Sequence, residues 1–358
     1  MLDDMRKKID EVDLAILKLL NERTGYVLEI GKRKAKDNVP FYRPEREREI
    51  FKRLEANNTG PFPASAIKIV FREIMSASLS LEKPLKIAFL GPVATFTHQA
   101  SLQHFGLSGD FIPKRNIAEV FEDVEKGRAN FGVVPIENST EGVVTHTLDM
   151  FVKSELKISA ELMLEVSLCL MNKSGNREDI VKICSHPNPL AQCKGWLKNN
   201  LPDAVLHDVS STALAAKMAE EETDVAAVAS AAAANLYNLR IIEQGIEDTQ
   251  SNFTRFLIIS RNESAETGND KTSLVFAIKD SPGALFKMLG PFADRGLNLT
   301  KIESRPTKTK AWEYLFFVDL DGHISNKNVK EAVDELAPVC SFLKVLGSYP
   351  KSPRLLSL

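Results

Sequence analysis

Arg6, Asp13, Arg23 and Lys34 recur along the first stretch of the chain at the steps of three and four that also relate its mostly apolar positions 5, 9, 12, 16, 20, 23, 27, 30 and 34. Charges on a stripe that should be buried need partners. Residues of the right type follow: Arg46 and Glu47 lie one turn before Ile50, and Ser78 and Glu82 stand one turn apart on a later apolar face. One at a time, each Arg or Lys reads as a side chain that snorkels from the edge of a core. Arg6, Arg23, Lys34 and Arg46 converging with Ser78 and Glu82 read differently, because clustered cations in a helical bundle call for an anionic ligand. A second set of polar residues closes apolar runs further on. FGVVPI ends in Glu137, Asn138, Ser139 and Thr140, IVKIC ends in Ser185-His186-Pro187, and AVLHDV ends in Ser210, Ser211 and Thr212. In open α/β sheets this is where helix N-termini offer unpaired amides to anions. Singly, Ser211 or Thr212 is an N-cap and His186 a turn residue.

The elements that must hold these residues follow from spacing. No proline interrupts Leu2 to Lys36, which predicts one long amphipathic helix. Asn38, Pro40 and Pro44 break it, and Pro44 suits the first position of a second helix carrying Ile50 and Leu54. Gly60-Pro61 and Pro63 precede a third, with Ile67, Phe71, Ile74 and Ser78 on one face. A helix this long with two shorter partners cannot bury its stripe alone, so an intertwined helical dimer is expected. After Glu82-Lys83-Pro84 the pattern changes. KIAFL, FGVVPI, IVKICS, AVLHDV, VAAVA and FLIIS read as buried strands, each but the last followed by a helix, which predicts a mostly parallel sheet in one doubly wound domain or in two lobes. Asn262 to Lys271 reads as a linker. The remainder runs strand, helix, strand, strand, helix, strand, a ferredoxin-like α+β unit.

Composition excludes several classes. With 44% hydrophobic and 26% charged residues, the chain of 358 residues is an ordinary globular protein of more than one domain. No apolar run approaches the ~20 residues of a membrane span. The charged N-terminal helix is unlike a signal peptide, so a cytoplasmic protein is expected. A net charge of -2 gives no field for nucleic acid or an anionic membrane. Cys169, Cys184, Cys193 and Cys340 lack zinc or redox spacing and read as reduced thiols. Neither GxGxxG nor GxxxxGK[ST] occurs, and no metal or cofactor is expected.

MRKKIDEVDLAILKLLNERTGYVLEIGKRKAK, YRPERE and EIMSASLSLE resemble the three helices of the all-helical chorismate mutase domain. The resemblance implies that Arg6, Arg23 and Arg46 bind substrate carboxylates, with Arg6 crossing from a partner subunit. It further assigns Lys34 to the ether oxygen, Glu47 to a hydroxyl, and Ser78 and Glu82 to the far side of the site. Some members have Gln where this chain has Glu82. GPVATFTHQA, the three polar strand ends and NFTRF resemble the prephenate dehydratase domain, with Thr254-Arg255-Phe256 its most diagnostic element. This implies a two-lobed, periplasmic-binding-protein-like α/β fold with Thr254 catalytic. Thr95, Glu137, Asn138, Ser139, His186, Ser211, Thr212, Arg255 and Phe256 then fall at the substrate, with Glu137 and His186 as further proton sources. A Gly common in that family is Ala94 here. Pro282-Gly283-Ala284-Leu285 and Glu303-Ser304-Arg305-Pro306 resemble the phenylalanine-binding ACT domain, which implies an effector site at Gly283, Ala284, Leu285, Asn298, Leu299 and Glu303 to Pro306 (Glu303, Ser304, Arg305, Pro306). The expected domains are residues 1–83, 85–261 and 272–350. The whole resembles the bifunctional chorismate mutase/prephenate dehydratases: chorismate to prephenate to phenylpyruvate, feedback by L-phenylalanine, and a homodimer or dimer of dimers. Arogenate as dehydratase substrate and a non-catalytic amino-acid-responsive binding protein are the alternatives.

Overall fold

The computed structural model describes residues 1–37, 42, 44–249, 252–278, 282–306 and 314–352. The chain divides into two compact units, residues 1–86 with 102–110, and residues 87–101 with those from 111 onward. In the first unit lie α1 (Leu2–Asp37), α2 (Pro44–Ala56) and α3 (Ala64–Glu82). α1 runs unbroken for 36 residues, with Asp3 and Asp4 in its first turn and Lys34 and Lys36 in its last, the signs its dipole favours. α3 buries Ile67, Met75, Ser76 and Ser78. Along the first half of α1 the apolar stripe stays open: Met5 is 60% exposed, Ile9 59% and Val12 57%.

The other unit begins with β1 (Lys86–Leu90), α4 (Phe96–Phe105, its last turn in the helical unit), β2 (Asp110–Lys114), α5 (Ile117–Glu125), β3 (Phe131–Asn138), β4 (Gly142–Val143), α6 (Thr145–Lys153) and β5 (Lys157–Glu165). A second lobe follows as β6 (Cys169–Asn172), β7 (Lys182–Ser185), α7 (Pro187–Gln192), α8 (Lys194–Asn200), β8 (Val205–Asp208), α9 (Thr212–Glu221), β9 (Val225–Ala229), α10 (Ala231–Leu236) and β10 (Arg240–Gln244). The chain then returns through β11 (Phe253–Ser260). The sheet orders are β2-β1-β3-β11-β5, with β4 on β3, and β10-β6-β9-β7-β8. The fold is therefore two-lobed, and the chain crosses between lobes twice.

The sheets are mixed rather than mostly parallel. β1 with β3, and β7 with β8 and β9, are parallel, but the returning β11 runs antiparallel to both β3 and β5, and β6 runs antiparallel to β9 and β10. AVLHDV is a strand, but its four residues in β8 are all exposed, since it forms the sheet edge. β2, β4, β5, β6 and β10 are strands beyond those expected. β2 and β10 are short edge strands that carry charged residues, and β5 alternates apolar residues with the buried Ser159 and Glu161, which masks it as an apolar run.

β12 (Asp270–Ile278), α11 (Ala284–Ala293), β13 (Leu299–Pro306), β14 (Tyr314–Asp321), α12 (Lys327–Leu336) and β15 (Phe342–Pro350) form the expected βαββαβ unit, with sheet order β13-β14-β12-β15. Alternation along its strands splits the sheet. Leu274, Phe276 and Val318 pack under Met288, Phe292 and Val329 of the helices. Val275, Phe317, Leu346 and Tyr349 join Ile158, Leu257 and Ile259 of the first lobe in one core. Gly347 permits that stacking, because a Cβ there would strike the backbone of Ile158. The expected linker is tied down as well: Ser264 Oγ donates to Ser159 O at 2.8 Å, Thr267 Oγ1 to Asp270 Oδ1 at 2.6 Å, and Asp270 and Lys271 already belong to β12. Among the described residues no helix is long and apolar enough to cross a membrane.

Candidate active sites

Between α1, α2 and α3 lies a cavity of about 470 Å³ lined by Arg23, Lys34, Arg46, Glu47, Ser78 and Glu82 among others. These are six of the seven side chains expected there. Arg23 Nη1 donates to Ser78 Oγ at 2.9 Å, while Ser78 donates to Ile74 O at 2.7 Å, so the hydroxyl is oriented by its own helix and receives the guanidinium. Burial lowers the Arg23 pKa. Lys34 Nζ stands 3.8 Å from Glu82 Oε2, a buried oxygen without a hydrogen-bond partner among the described residues. Burial holds the Glu82 carboxyl above its usual range, with Lys34 opposing. Glu47 accepts from Tyr42 Oη at 3.1 Å, and burial pushes its pKa up to about 7 against the pull of Tyr42 and Arg72. Arg46 is held by Glu49 at 2.7 Å on an exposed surface. Arg6 is not in the cavity. It pairs with Asp3 at 3.2 Å, seventeen residues before Arg23 and so roughly 25 Å along the helix.

The lobes of the second unit enclose a cavity of about 430 Å³ reached by Asn138, His186, Ser211, Thr212 and Thr254. Asn138 Nδ2 donates to Thr254 Oγ1 and to Asn252 Oδ1, each at 2.8 Å, and its Oδ1 accepts from the Thr140 and Glu141 amides at 3.0 Å. Held at both ends, the amide saturates one lone pair of Thr254 and leaves that hydroxyl's own proton to point elsewhere. His186 caps α7, its Nδ1 accepting from Asn188 N at 3.3 Å, which places the proton of the neutral ring on Nε2. Ser211 caps α9 by accepting from Leu214 N at 3.0 Å. Ser139 Oγ accepts from Phe253 N at 3.0 Å, and Thr95 Oγ1 donates to Pro92 O at 2.9 Å; both serve the backbone.

Period-two alternation along β11 separates neighbours that the sequence groups together. Thr254 faces the cleft, whereas Arg255 turns to the ACT-like sheet, with Nε 2.8 Å from Glu161 Oε2, Nη1 2.6 Å from Asp319 Oδ2 and Nη2 3.0 Å from Tyr349 Oη. Burial works against that charge, and Tyr349, Asp319 and Glu161 more than offset it, raising the Arg255 pKa. Glu137 faces the same way and binds Lys301 Nζ at 2.5 Å, so the two expected cleft residues Glu137 and Arg255 belong to an interdomain charge cluster. Phe256 is 1% exposed, a core residue off the cleft lining. Sequence reasoning passed over Gln192 and Asn252. Gln192 Oε1 accepts from the buried Asn252 Nδ2 at 2.9 Å and its Nε2 donates to Thr140 Oγ1 at 3.0 Å, which ties the second lobe to the network behind Thr254.

In the ACT-like unit, Gly283 has φ +75° at the start of α11, a conformation costly for any side chain. A Cβ there meets nothing within 4 Å, so within this chain it is the φ angle that calls for glycine. Ladder register puts Pro306 beside Tyr314 and Tyr314 beside Ile278, the Gly283 end of the sheet, and Leu299 beside Leu320 at the opposite end. Asn298 and Leu299 therefore lie roughly 20–25 Å from Gly283 to Leu285 within one chain. Arg305 reaches back to α6, binding Thr145 O at 2.6 Å and Asp149 Oδ1 at 2.9 Å.

Three family profiles match in succession: chorismate mutase type II over residues 5–83, prephenate dehydratase over 87–264 and the ACT domain over 272–338. An isomerase fused to a lyase and a regulatory unit is the class these define. The bifunctional chorismate mutase/prephenate dehydratase of Aquifex aeolicus (strain VF5) is 50% identical over 98% of this chain and 98% of its own. That of Pseudomonas aeruginosa PAO1 is 42% identical over 97% of each. The structure of prephenate dehydratase from Arthrobacter aurescens in complex with L-Phe aligns with a TM-score of 0.69 at 37% identity, covering 74% of this chain and 90% of that one. The chain belongs to the bifunctional chorismate mutase/prephenate dehydratase family.

Proposed function

We propose that the chain rearranges chorismate to prephenate in the helical cavity and converts prephenate to phenylpyruvate in the cleft, under feedback by L-phenylalanine. The carrying observation is two cavities of different chemistry in one chain, one cationic among helices and one lined by hydroxyls and amides between lobes. The first reaction is a unimolecular pericyclic shift, so the site gains by holding a compact conformer and stabilising charge at the ether oxygen. Arg23 and Arg46 take the carboxylates, Glu47 the hydroxyl, and Lys34 with protonated Glu82 the ether oxygen. Arg6 completes the site from a second chain. The open apolar stripe of α1 supports that homodimer.

In the second reaction the C–CO2 bond breaks, its electron pair becomes ring π density, and the ring hydroxyl leaves as water after receiving one proton. Thr254 donates to the departing oxygen while Asn138 holds it, and the Nε2 proton of His186 is the nearby alternative. Two ACT-like units related by a two-fold axis bring Asn298 of one beside Gly283 of the other, which answers the separation of these residues within a chain. Phenylalanine at that junction biases the cleft through its differential affinity for two arrangements. Unpaired, buried Cys169, Cys184 and Cys193 support a reducing, cytoplasmic setting. The test is to incubate purified protein with chorismate, then with prephenate and arogenate separately, and follow prephenate, phenylpyruvate and phenylalanine with and without added L-phenylalanine. No phenylpyruvate from prephenate refutes the reading.

A further inference from the structure

The helical cavity is not made by helices alone. Residues 102–110, inside the span matched by the dehydratase profile, pack in the same compact unit as α1 to α3. His104 and Phe105 from this segment meet Tyr42: His104 Nε2 is 3.4 Å from Tyr42 Oη, and the Tyr42 and Phe105 ring centroids are 5.7 Å apart. Tyr42 is 8% exposed and lines the cavity, its hydroxyl 3.1 Å from Glu47 Oε2. A phenol has one proton. Donated to the carboxylate, it leaves the phenol oxygen as acceptor, and the contact with His104 then requires a proton on Nε2.

Resting on the mutase reading above, we propose that His104 and Tyr42 form a hydrogen-bonded relay that positions the Glu47 carboxylate for the substrate hydroxyl, so that a segment of dehydratase sequence completes the mutase pocket. His104 and Tyr42 are positioning residues, acting through Glu47. The direction of the relay is set by charge. Burial lowers the His104 pKa to about 4, with Arg48 and Arg72 adding to it, so the ring stays neutral at physiological pH and donates through one nitrogen. Burial pushes Glu47 up to about 7, and the bond from Tyr42 is the first force opposing it, ahead of Arg72 of α3. The other charged groups at the cavity are Arg23 and Lys34 from α1, Arg46 and Arg53 from α2 itself, and Glu82 from α3. Burial first, then Glu47 and last Glu45 disfavour a phenolate at Tyr42, which keeps the phenol a donor. Without the phenol, Glu47 holds its proton to higher pH and stops accepting.

The experiment uses the full chain and reads mutase kcat/KM against pH, with dehydratase turnover as an internal report of folding. It is run in a Glu82→Gln background, so that Glu47 is the one cavity carboxylate that titrates. Tyr42→Phe should move the ascending limb up by about one pH unit, an approximately tenfold loss near pH 6 that fades above pH 8. His104→Phe should move it by about half as much, and His104→Gln, which retains an N–H at similar reach, should restore the parent profile. Dehydratase activity should not change. The Glu47 carboxyl-carbon NMR resonance should titrate with the same shifts, which reads the relay even if no mutase turnover is found; that absence would count against the activity reading alone. An unshifted limb in Tyr42→Phe, or an equal loss at every pH, overturns the relay.

Discussion

The helical cavity and the cleft, proposed to take successive substrates that both carry two carboxylates, are built from different materials. The cavity presents Arg23, Lys34, Arg46 and Arg53 against Glu47 and Glu82. At the cleft, Glu141 and His186 are the titratable residues among side chains dominated by hydroxyls, amides and apolar groups. Chemistry accounts for the contrast. A pericyclic shift offers no leaving group to protonate, so rate comes from fixed charge that meets charge developing at one oxygen. Loss of carbon dioxide and water gains an aromatic ring, so the cleft need only hold the substrate and pass one proton.

The sharpest way to break this contrast is to remove fixed charge. Lys34→Ala should cost the mutase roughly 10³ in kcat while dehydratase turnover persists. A loss within threefold would mean that conformer selection alone carries the reaction. Next is Arg255, whose charge serves the fold rather than the cleft. Arg255→Met leaves the buried Asp319 without its guanidinium partner, supported by Ser273 Oγ at 2.5 Å and by the charge of Lys271. Breaking such a pair costs about 3–5 kcal/mol. Denaturant unfolding should show it, with dehydratase activity and phenylalanine sensitivity lost together and mutase retained. A fully stable variant with a raised prephenate KM would return Arg255 to the cleft. Thr254→Ala should lower dehydratase kcat by about 10² and spare the mutase; equal loss of both activities in folded protein would erase the division between the sites.

The pH dependence sharpens the contrast further. In its proposed role Glu82 must be protonated to donate to the ether oxygen, so its contribution is lost as pH rises through its raised pKa. Glu47 must be ionised to accept, so its contribution is lost as pH falls through about 7. The wild-type mutase profile should therefore be bell-shaped, and Glu82→Gln should flatten its alkaline side. A profile climbing steadily into alkali argues against the role of Glu82.

These sites differ too in how far the sequence disclosed them. Helical spacing alone led to Arg23, Lys34, Ser78 and Glu82, because charge repeating at three and four residues puts side chains on one face whatever packs above it. The βαββαβ unit was equally plain from alternation. In the cleft, Thr254, Arg255 and Phe256 were grouped as a motif, although a strand must send neighbours to opposite faces. Alternation was signal enough to separate Thr254 from Arg255, but the partners of Arg255 lie on strands of a different sheet and no local pattern announces them. Tyr42 and Asn252 stood inside quoted segments, YRPERE and NFTRF, without an assigned task. Their roles depend on His104 and Gln192, which folding brings from far along the chain.

The smallest effect expected is at Ala94, and it tests whether the neutral cleft depends on backbone geometry as the cavity depends on charge. Ala94 has φ +67°, a left-handed conformation that costs a non-glycine residue on the order of 1 kcal/mol. Its amide donates to His98 Nδ1 at 3.2 Å, and its carbonyl accepts from Ser230 Oγ of the second lobe at 3.1 Å, so this strained residue links the lobes. Glycine relieves the strain but removes a methyl that is 3% exposed, worth about 0.8 kcal/mol when buried, and it frees the unfolded chain. The terms nearly cancel, so Ala94→Gly should change unfolding free energy by less than about 0.5 kcal/mol. With both hydrogen bonds kept by the backbone, prephenate KM should stay within twofold. A stability gain above about 1 kcal/mol would mean that strain outweighs packing, and a KM rise without any stability change would mean that the methyl itself orders the loop.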